Sequence, residues 1–208
     1  MARTIGPAMS FDASGSLGGA IVFSKWKGRN YIRSLVIPAN PKSNKQVSVR
    51  SMMTWLTQQW ANIPSANKNT WKDLADPQSI SPFNAYVQHN QGRWSNFRAP
   101  TQAYPAAEST LTATAGTPTA QGGTRMATVT VPITSAGNGW GVMFYRSGQR
   151  GFSTAYDNLK HIGRISGTSN VVFVDSPLEP GTYYYNFRLI SVDGTLGNEV
   201  GEVSCTVS

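Results

Sequence analysis

Residues 178–193 read LEPGTYYYNFRLISVD, and this stretch decides the fold of the second half of the chain. A Pro-Gly turn opens it, and behind the turn Tyr185, Phe187 and Leu189 recur at every second position. Side chains two positions apart lie on the same face of a β-strand, where aromatic and branched residues are favoured. The stretch therefore predicts a strand over residues 182–192.

Six further strand-like runs share residues 109–207 with this one. Turn sequences such as SAGNG and VDGTLGN separate the runs, and no helical run interrupts them. Seven short strands in this arrangement predict an all-β sandwich. Cys205 alternates with Val203 and Val207, which indicates a packed or edge thiol. The predicted strands cover residues 109–115, 124–133, 139–147, 160–165, 170–175, 182–192 and 198–207.

The sequence upstream of the strands changes to helical spacing. Residues 44–62 carry apolar side chains three and four positions apart and stop before Pro64. Ser43 or Asn44 can cap the first turn of this helix, because both side chains accept hydrogen bonds from free backbone N–H groups. The apolar residues that define its predicted core face are Val49, Met52, Met53, Leu56 and Trp60.

Two shorter helices are predicted after the first. One starts at Ser65 and ends before Pro77, and the next opens at Ser81 and Pro82, an N-cap followed by proline at the first helical position. Gly92 can terminate this third helix. We expect their apolar faces to belong to a core, with Trp71, Leu74 and Ala75 on one helix and Phe83, Tyr86, Val87 and Asn90 on the other.

A basic, aromatic stretch near the N-terminus reads KWKGRNYIR at residues 25–33. The strand-like runs GAIVFSKW and RNYIRSLVIP meet at Lys27 and Gly28, so a β-hairpin is predicted. Its cations could dock on acidic protein surfaces, contact phosphates, or only keep a strand edge solvated. We favour protein docking. The predicted assembly surface consists of Lys25, Trp26, Lys27, Arg29, Tyr31, Arg33 and, on the first helix, Arg50.

Charge is distributed unevenly along the 208 residues. Residues 1–98 carry a net charge of +9 and residues 99–208 a net charge of −1. We predict two domains, an N-terminal α+β domain of a β-hairpin plus about three helices and a C-terminal all-β sandwich. The predicted boundaries are a flexible arm over 1–18, a basic anchoring domain over 19–98, a Pro/Ala/Thr linker over 99–110 and the sandwich over 111–208.

Enzyme motifs are missing from the sequence. His89 and His161 fall in different predicted domains, and the acidic residues are scattered singly along the sequence. Zinc-ligand spacings, a GxSxG motif and phosphate-binding glycine loops do not occur. No apolar run approaches the ~20 residues that span a bilayer. We therefore expect a non-enzymatic protein without cofactor, metal site or membrane segment.

The stretch from Leu178 to Asp193 resembles the region of a fibronectin type III-like module that leads into its tyrosine corner. Counting from Leu178 favours Tyr184 for the corner, whereas the strand phase favours Tyr185. Trp140 matches the position at which such domains bury an aromatic side chain against the opposite sheet. The resemblance implies a fold over about 100 residues and implies no particular activity.

Residues 18–98 resemble a domain of bacteriophage structural proteins. The matching features are KWKGRNYIR, then Asn40 and Pro41, then Gln46 and Arg50 at the start of a helix. The segments at residues 71–75 and 82–90 continue the pattern. The resemblance implies a virion structural protein.

These observations together predict a non-enzymatic virion protein that is made in the host cytoplasm. Its basic domain would anchor it to the particle as a head decoration or minor capsid protein, and the sandwich would be displayed. The alternatives are a tail or neck component, or a nucleic-acid-associated protein that uses the basic half. Expected partners are major capsid or tail proteins and further copies of the chain, with a host surface glycan as a further partner.

Overall fold

The computed structural model of the chain describes residues 2–3 and 14–208. Two compact units make up the chain, residues 1–41 and residues 42–208. The first unit contains one antiparallel sheet in the order β1-β4-β3-β2. Most of the predicted arm over residues 1–18 lies outside the described residues, but its described parts form the two outer strands. The strands are β1 (Ala2–Arg3), β2 (Gly15–Leu17), β3 (Ile21–Trp26) and β4 (Arg29–Ser34).

Four helices open the second unit. Ser43 caps the first helix, since its Oγ accepts a hydrogen bond from the backbone N–H of Gln46. Ser81 caps the last helix in the same way, through the backbone N–H of Asn84. A 3₁₀ turn at Asp76–Gln78 lies between the last two helices. The helices are α1 (Asn44–Trp60), α2 (Ser65–Thr70), α3 (Lys72–Ala75) and α4 (Pro82–Ser95).

The end of α4 and the buried face of α1 differ from the prediction. Helix α4 continues through Gly92 for another turn, because Trp94 is buried in the core and holds that turn in place. On α1, Val49 and Met53 are exposed. The buried face of that helix is shifted by about one position and consists of Ser48, Met52, Trp55, Leu56 and Gln59.

The second half of the chain is a β-sandwich whose strand pairings are all antiparallel. One sheet has the order β10-β9-β12-β13, with β14 also paired to β12, and the other has the order β11-β7-β6. A two-stranded sheet pairs β5 with β8. The strands are β5 (Thr114–Ala115), β6 (Thr119–Gly123), β7 (Met126–Val131), β8 (Ile133–Ser135), β9 (Gly139–Ser147), β10 (Leu159–Arg164), β11 (Val171–Asp175), β12 (Gly181–Ser191), β13 (Leu196–Glu199) and β14 (Val203–Val207).

The two larger sheets enclose an apolar core. Val129 and Val131 on β7 and Tyr185, Phe187 and Leu189 on β12 belong to this core at every second position, which is the two-residue period expected of strands. Cys205 on β14 is one of the packed residues, and burial raises the pKa of its thiol. The core side chains include Val129, Val131, Val142, Phe144, Val171, Tyr185, Phe187, Leu189 and Val207.

A second core covers the other face of the five-stranded sheet, where helices α1 and α4 pack. Met143 and Tyr145 of β9 and Ile190 of β12 contribute to it from the sheet. Strand β9 is therefore buried on both faces over most of its length. Helices and sandwich form three layers of one unit, in which the middle sheet is shared.

Trp140 lies in this second core, which differs from the expectation that it packs against the opposite sheet. Its ring centroid is 4.3 Å from that of Trp55 on α1. The cause is a β-bulge, since Ile190 pairs with Gly141 and Ser191 pairs with Gly139, which leaves Trp140 without an opposite residue. The extra residue turns the indole away from the phase of Val142 and towards the helices.

Helix α1 also contacts the edge strand β10. The Oγ of Ser51 donates a hydrogen bond to the backbone oxygen of Lys160 at 2.6 Å, and Ser48 donates to the backbone oxygen of Tyr156. Lys160 occupies a second bulge, and its Nζ donates to the Oδ1 of Asn44 at 2.8 Å. Burial lowers the pKa of the Lys160 ammonium to about 8.

Residues 99–110 are packed against the second unit. Asn90 exchanges two hydrogen bonds with the backbone of Thr101, and both residues are buried. The backbone N–H of Gln102 donates to Val192, and that of Glu108 donates to Asp193. The division of the structure thus falls at residue 41, whereas the sequence suggested a boundary in this segment.

The three consecutive tyrosines of β12 have different environments. Tyr183 donates its hydroxyl to the backbone oxygen of Glu179 at 2.9 Å, which is the bond expected of a tyrosine corner and which the sequence suggested for Tyr184 or Tyr185. Tyr185 is buried and donates to Asp175 at 3.1 Å. Asp175 on β11 also pairs with Arg146 on β9 at 2.6 Å, so this group links the two sheets.

Candidate docking site on the hairpin sheet

The turn between β3 and β4 is built for a tight hairpin. Lys27 has a φ of +48° and Gly28 a φ of +76°. Two consecutive residues in the left-handed region form the turn type whose twist matches antiparallel strands. Gly28 adopts this conformation without steric cost, and Lys27 at the tip is exposed.

The strand register divides the predicted site residues between two faces. Trp26 pairs with Arg29, Ser24 with Tyr31 and Val22 with Arg33, so these side chains share one face of the sheet. We call the set of Trp26, Arg29, Tyr31 and Arg33 the hairpin face. Lys25 is on the other face, opposite Asn30.

The hairpin face is exposed and cationic. Trp26 is 65% exposed, and the Nζ of Lys27 lies 4.8 Å from the centroid of its ring. Arg29 and Arg33 are both exposed, with the half-buried Tyr31 between them on the strand. The sequence contains no aspartate or glutamate between Asp12 and Asp73. A partner that presents carboxylates would therefore meet cations without local repulsion.

The described part of the first unit also exposes apolar side chains. Six of the twelve large apolar residues that are exposed in the described part of the chain lie between residues 17 and 37. None of the side chains described between residues 14 and 41 is fully buried. Three of the six belong to the stretch LVIP at residues 35–38. This continuous apolar run is visible in the sequence and marks the position of these residues. They are Leu17, Ile21, Trp26, Leu35, Val36 and Ile37.

Arg50, the seventh residue predicted for the assembly surface, lies in the second unit. It is exposed on α1 and lines a groove of about 370 Å³ beside β10. Ser51, Thr54, Trp55 and Gln58 line the same groove from the helix, and Ile162 lines it from the strand. Arg50 therefore belongs to the second unit, whereas the other six predicted residues belong to the first.

Both histidines pack against aromatic rings. His161 stacks on Phe173 with ring centroids 4.6 Å apart and planes 8° apart. His89 contacts Trp71 and Tyr104. Burial lowers the pKa of each imidazole, and the charge of Arg93 lowers that of His89 further. Neutral, packed rings of this kind stabilise a core.

The described residues contain neither a metal-binding cluster nor a membrane-spanning helix. Within residues 2–3 and 14–208, no group of three or more His, Cys, Asp or Glu side chains is placed to hold a metal ion. No helix in this part of the chain is both long and apolar enough to cross a bilayer.

Comparisons with known proteins leave the family of this chain open. No protein-family model and no curated protein matches it. The PKD domain of an M14-like peptidase from Thermoplasmatales archaeon SCGC AB-540-F20 aligns with a TM-score of 0.29 at 18% identity, over 44% of this chain and 90% of that domain. CopC from Methylosinus trichosporium OB3b aligns with a TM-score of 0.28 at 15% identity, over 46% and 93% respectively. No inference about this chain follows from either likeness.

Proposed function

We propose that the chain is a non-enzymatic structural protein of a bacteriophage particle, anchored through its hairpin sheet. The second unit, with its helices and its fibronectin type III-like sandwich, would be displayed on the surface. Head decoration or minor capsid protein is the favoured position, and a tail or neck component is the alternative. The partners are other virion proteins, in many copies per particle.

The observation that carries this proposal is the absence of buried side chains in the described hairpin sheet. A unit of this size lacks the volume for a core of its own, and units below about 40 residues usually depend on a partner, a metal or disulfides. The chain has one cysteine, so no disulfide forms within it. Docking would cover the exposed apolar residues and supply the missing burial.

The hairpin face fits an acidic protein partner. Arginine side chains bind carboxylates through two parallel hydrogen bonds, and Arg29 and Arg33 present two such groups on one strand. Trp26 at the end of the sheet is a large aromatic anchor of the kind that dominates protein interfaces. A lattice of many copies would add avidity to each weak contact.

Quantitative mass spectrometry of purified, nuclease-treated particles tests the proposal. We expect the chain to be present at tens to hundreds of copies, in roughly fixed proportion to the number of major shell protein subunits. A copy number of about six or twelve would place it in a cyclic neck or tail assembly. Absence from the particle would contradict the proposal.

A nucleic-acid-associated protein is the second candidate, because the same hairpin face combines cations with aromatic rings. Cations would contact phosphates, and Trp26 and Tyr31 would stack on bases. Such binding weakens steeply as salt rises, since each phosphate contact releases counterions. Filter binding of single-stranded DNA to the purified chain at two salt concentrations separates the candidates. A flat salt response, or no binding at low salt, removes this one.

A further inference from the structure

An open cleft in the second unit combines an exposed aromatic ring with two charged side chains. Its volume is about 230 Å³. Phe97 stands at its rim and is 66% exposed, directly after helix α4. The turn between β12 and β13 forms the opposite wall. The lining residues are Phe97, Arg98, Ala99, Glu108, Gly194, Thr195 and Leu196.

Phe97 occupies a position that ordinarily favours glycine. The backbone N–H of Phe97 donates to Trp94, and that of Arg98 donates to Arg93, which closes α4 with paired capping bonds. The residue between helix and loop in this motif adopts a left-handed conformation, and Phe97 has a φ of +59°. A bulky side chain at such a φ is strained, and here the strain presents the ring to solvent.

Glu108 shares both features, since it lines the same cleft and has a φ of +50°. Its Oε1 accepts a hydrogen bond from Nη2 of Arg93 at 2.9 Å and lies 3.5 Å from Nη1 of Arg98. The hydrogen bond and charge of Arg93 lower the pKa of the Glu108 carboxyl, so it is ionised and held in place. Arg98 remains largely exposed beside it.

We propose that this cleft binds a saccharide. One face of a pyranose ring consists of C–H groups and would stack on Phe97, whose ring face is electron-rich. The hydroxyl groups of the sugar would donate to the carboxylate of Glu108 and accept from the guanidinium of Arg98. The assignment of this saccharide to the surface of a host cell rests on the proposed function.

The surroundings of the cleft favour a small polar ligand over a protein. Protein interfaces need an extended patch with apolar anchors at its centre. The other large apolar side chains that are exposed in the described second unit do not line this cleft. They are Val49, Met53, Met126, Val172 and Val174. A single aromatic ring with two charged groups suits weak, multivalent recognition of a sugar.

The experiment uses the full chain and an array of immobilised bacterial surface oligosaccharides, followed by calorimetric titration of the best oligosaccharide in solution. Phe97→Gly removes the ring and the strain together, so its melting temperature should equal or exceed that of the wild type by about 2–4 °C. Its affinity should fall at least about tenfold, which is about 1.4 kcal/mol. Phe97→Tyr should keep the affinity, and so should the control Val172→Ser on β11.

Three results would overturn the inference. The first is a wild-type protein that binds nothing on the array, and the second is a Phe97→Gly variant that binds as well as the wild type. The third is binding of a protein partner through Phe97 in the absence of sugar. Presence of the chain in particles is measured separately. Failure of sugar binding therefore leaves the proposed function intact. A chain that binds sugar but is absent from particles would support the saccharide site alone and contradict the proposed function.

Discussion

The hairpin sheet of the first unit and the three-layered second unit are stabilised in different ways. The second unit buries one core between its sheets and another beneath its helices. The described part of the first unit buries no side chain fully and exposes six large apolar residues. Small sheets are marginal in water without a partner. The apolar residues are therefore mostly covered in the second unit and left exposed in the described first unit, and under the proposed function substitutions should separate stability from attachment.

The largest expected effect is on the shared core of the second unit. Trp140→Ala should lower the free energy of unfolding by about 3–5 kcal/mol, because it leaves a cavity between sheet and helices. Chemical denaturation followed by far-ultraviolet circular dichroism and by tryptophan fluorescence measures it. Coincident transitions are expected, since helices and sandwich share this core. Separate transitions would show that the two layers are independent.

The link between the two sheets should give a smaller effect. Asp175→Asn removes the charge that pairs with Arg146 and should cost about 2 kcal/mol, because both side chains are mostly buried. Thermal melting against the wild type checks this value. Glu179→Gln is the matched control, since the Arg125–Glu179 pair is exposed and should contribute less than about 0.5 kcal/mol. Equal costs for the two variants would contradict the role of Asp175.

Substitution of the hairpin face should leave stability unchanged and affect attachment. Arg29→Glu together with Arg33→Glu should reduce incorporation into particles at least about tenfold, about 1.4 kcal/mol, because an acidic partner would be repelled. Immunoblots of purified particles measure incorporation. The control Arg150→Glu with Arg164→Glu makes the same charge change on exposed residues of the second unit. If both pairs reduce incorporation alike, net charge rather than the hairpin face is responsible.

The smallest effect concerns pH. Folding lowers the pKa of Lys160 from 10.5 to about 8, so the folded state disfavours the ammonium. The penalty is complete below about pH 8 and disappears as pH rises towards the unfolded value. This group should therefore raise the free energy of unfolding by roughly 0.7 kcal/mol from about pH 7.5 to 8.5. Lys160→Met should lack that increment in urea titrations, and an unchanged pH dependence would contradict it.

Much of the local structure could be predicted from the sequence. Serine and proline positions predicted the starts of α1 and α4. The two-residue period predicted the bounds of β9, β10, β11 and β12 to within about two residues. Strand β6 was missed because TAQGG lacks apolar alternation. Pro132 separates β7 from β8, where one strand was expected, since proline cannot donate to a ladder.

The packing between elements could not be predicted. The apolar residues of α1 and of the sandwich each predicted a buried face. Neither pattern indicated that the helices pack on the five-stranded sheet. The resemblance to fibronectin type III-like modules predicted that Trp140 faces the opposite sheet, and only the pairing of Ile190 and Ser191 reveals the bulge. The hairpin residues were found by composition, whereas their division into two faces depends on the register.

The bulge at Trp140 has a consequence at the level of the gene. Trp140 is itself the residue without an opposite partner, so one codon supplies the indole that contacts Trp55, and a strand without that codon would pair regularly but would lack this contact. The contact between this indole and the helical layer therefore corresponds to a three-nucleotide insertion in the gene.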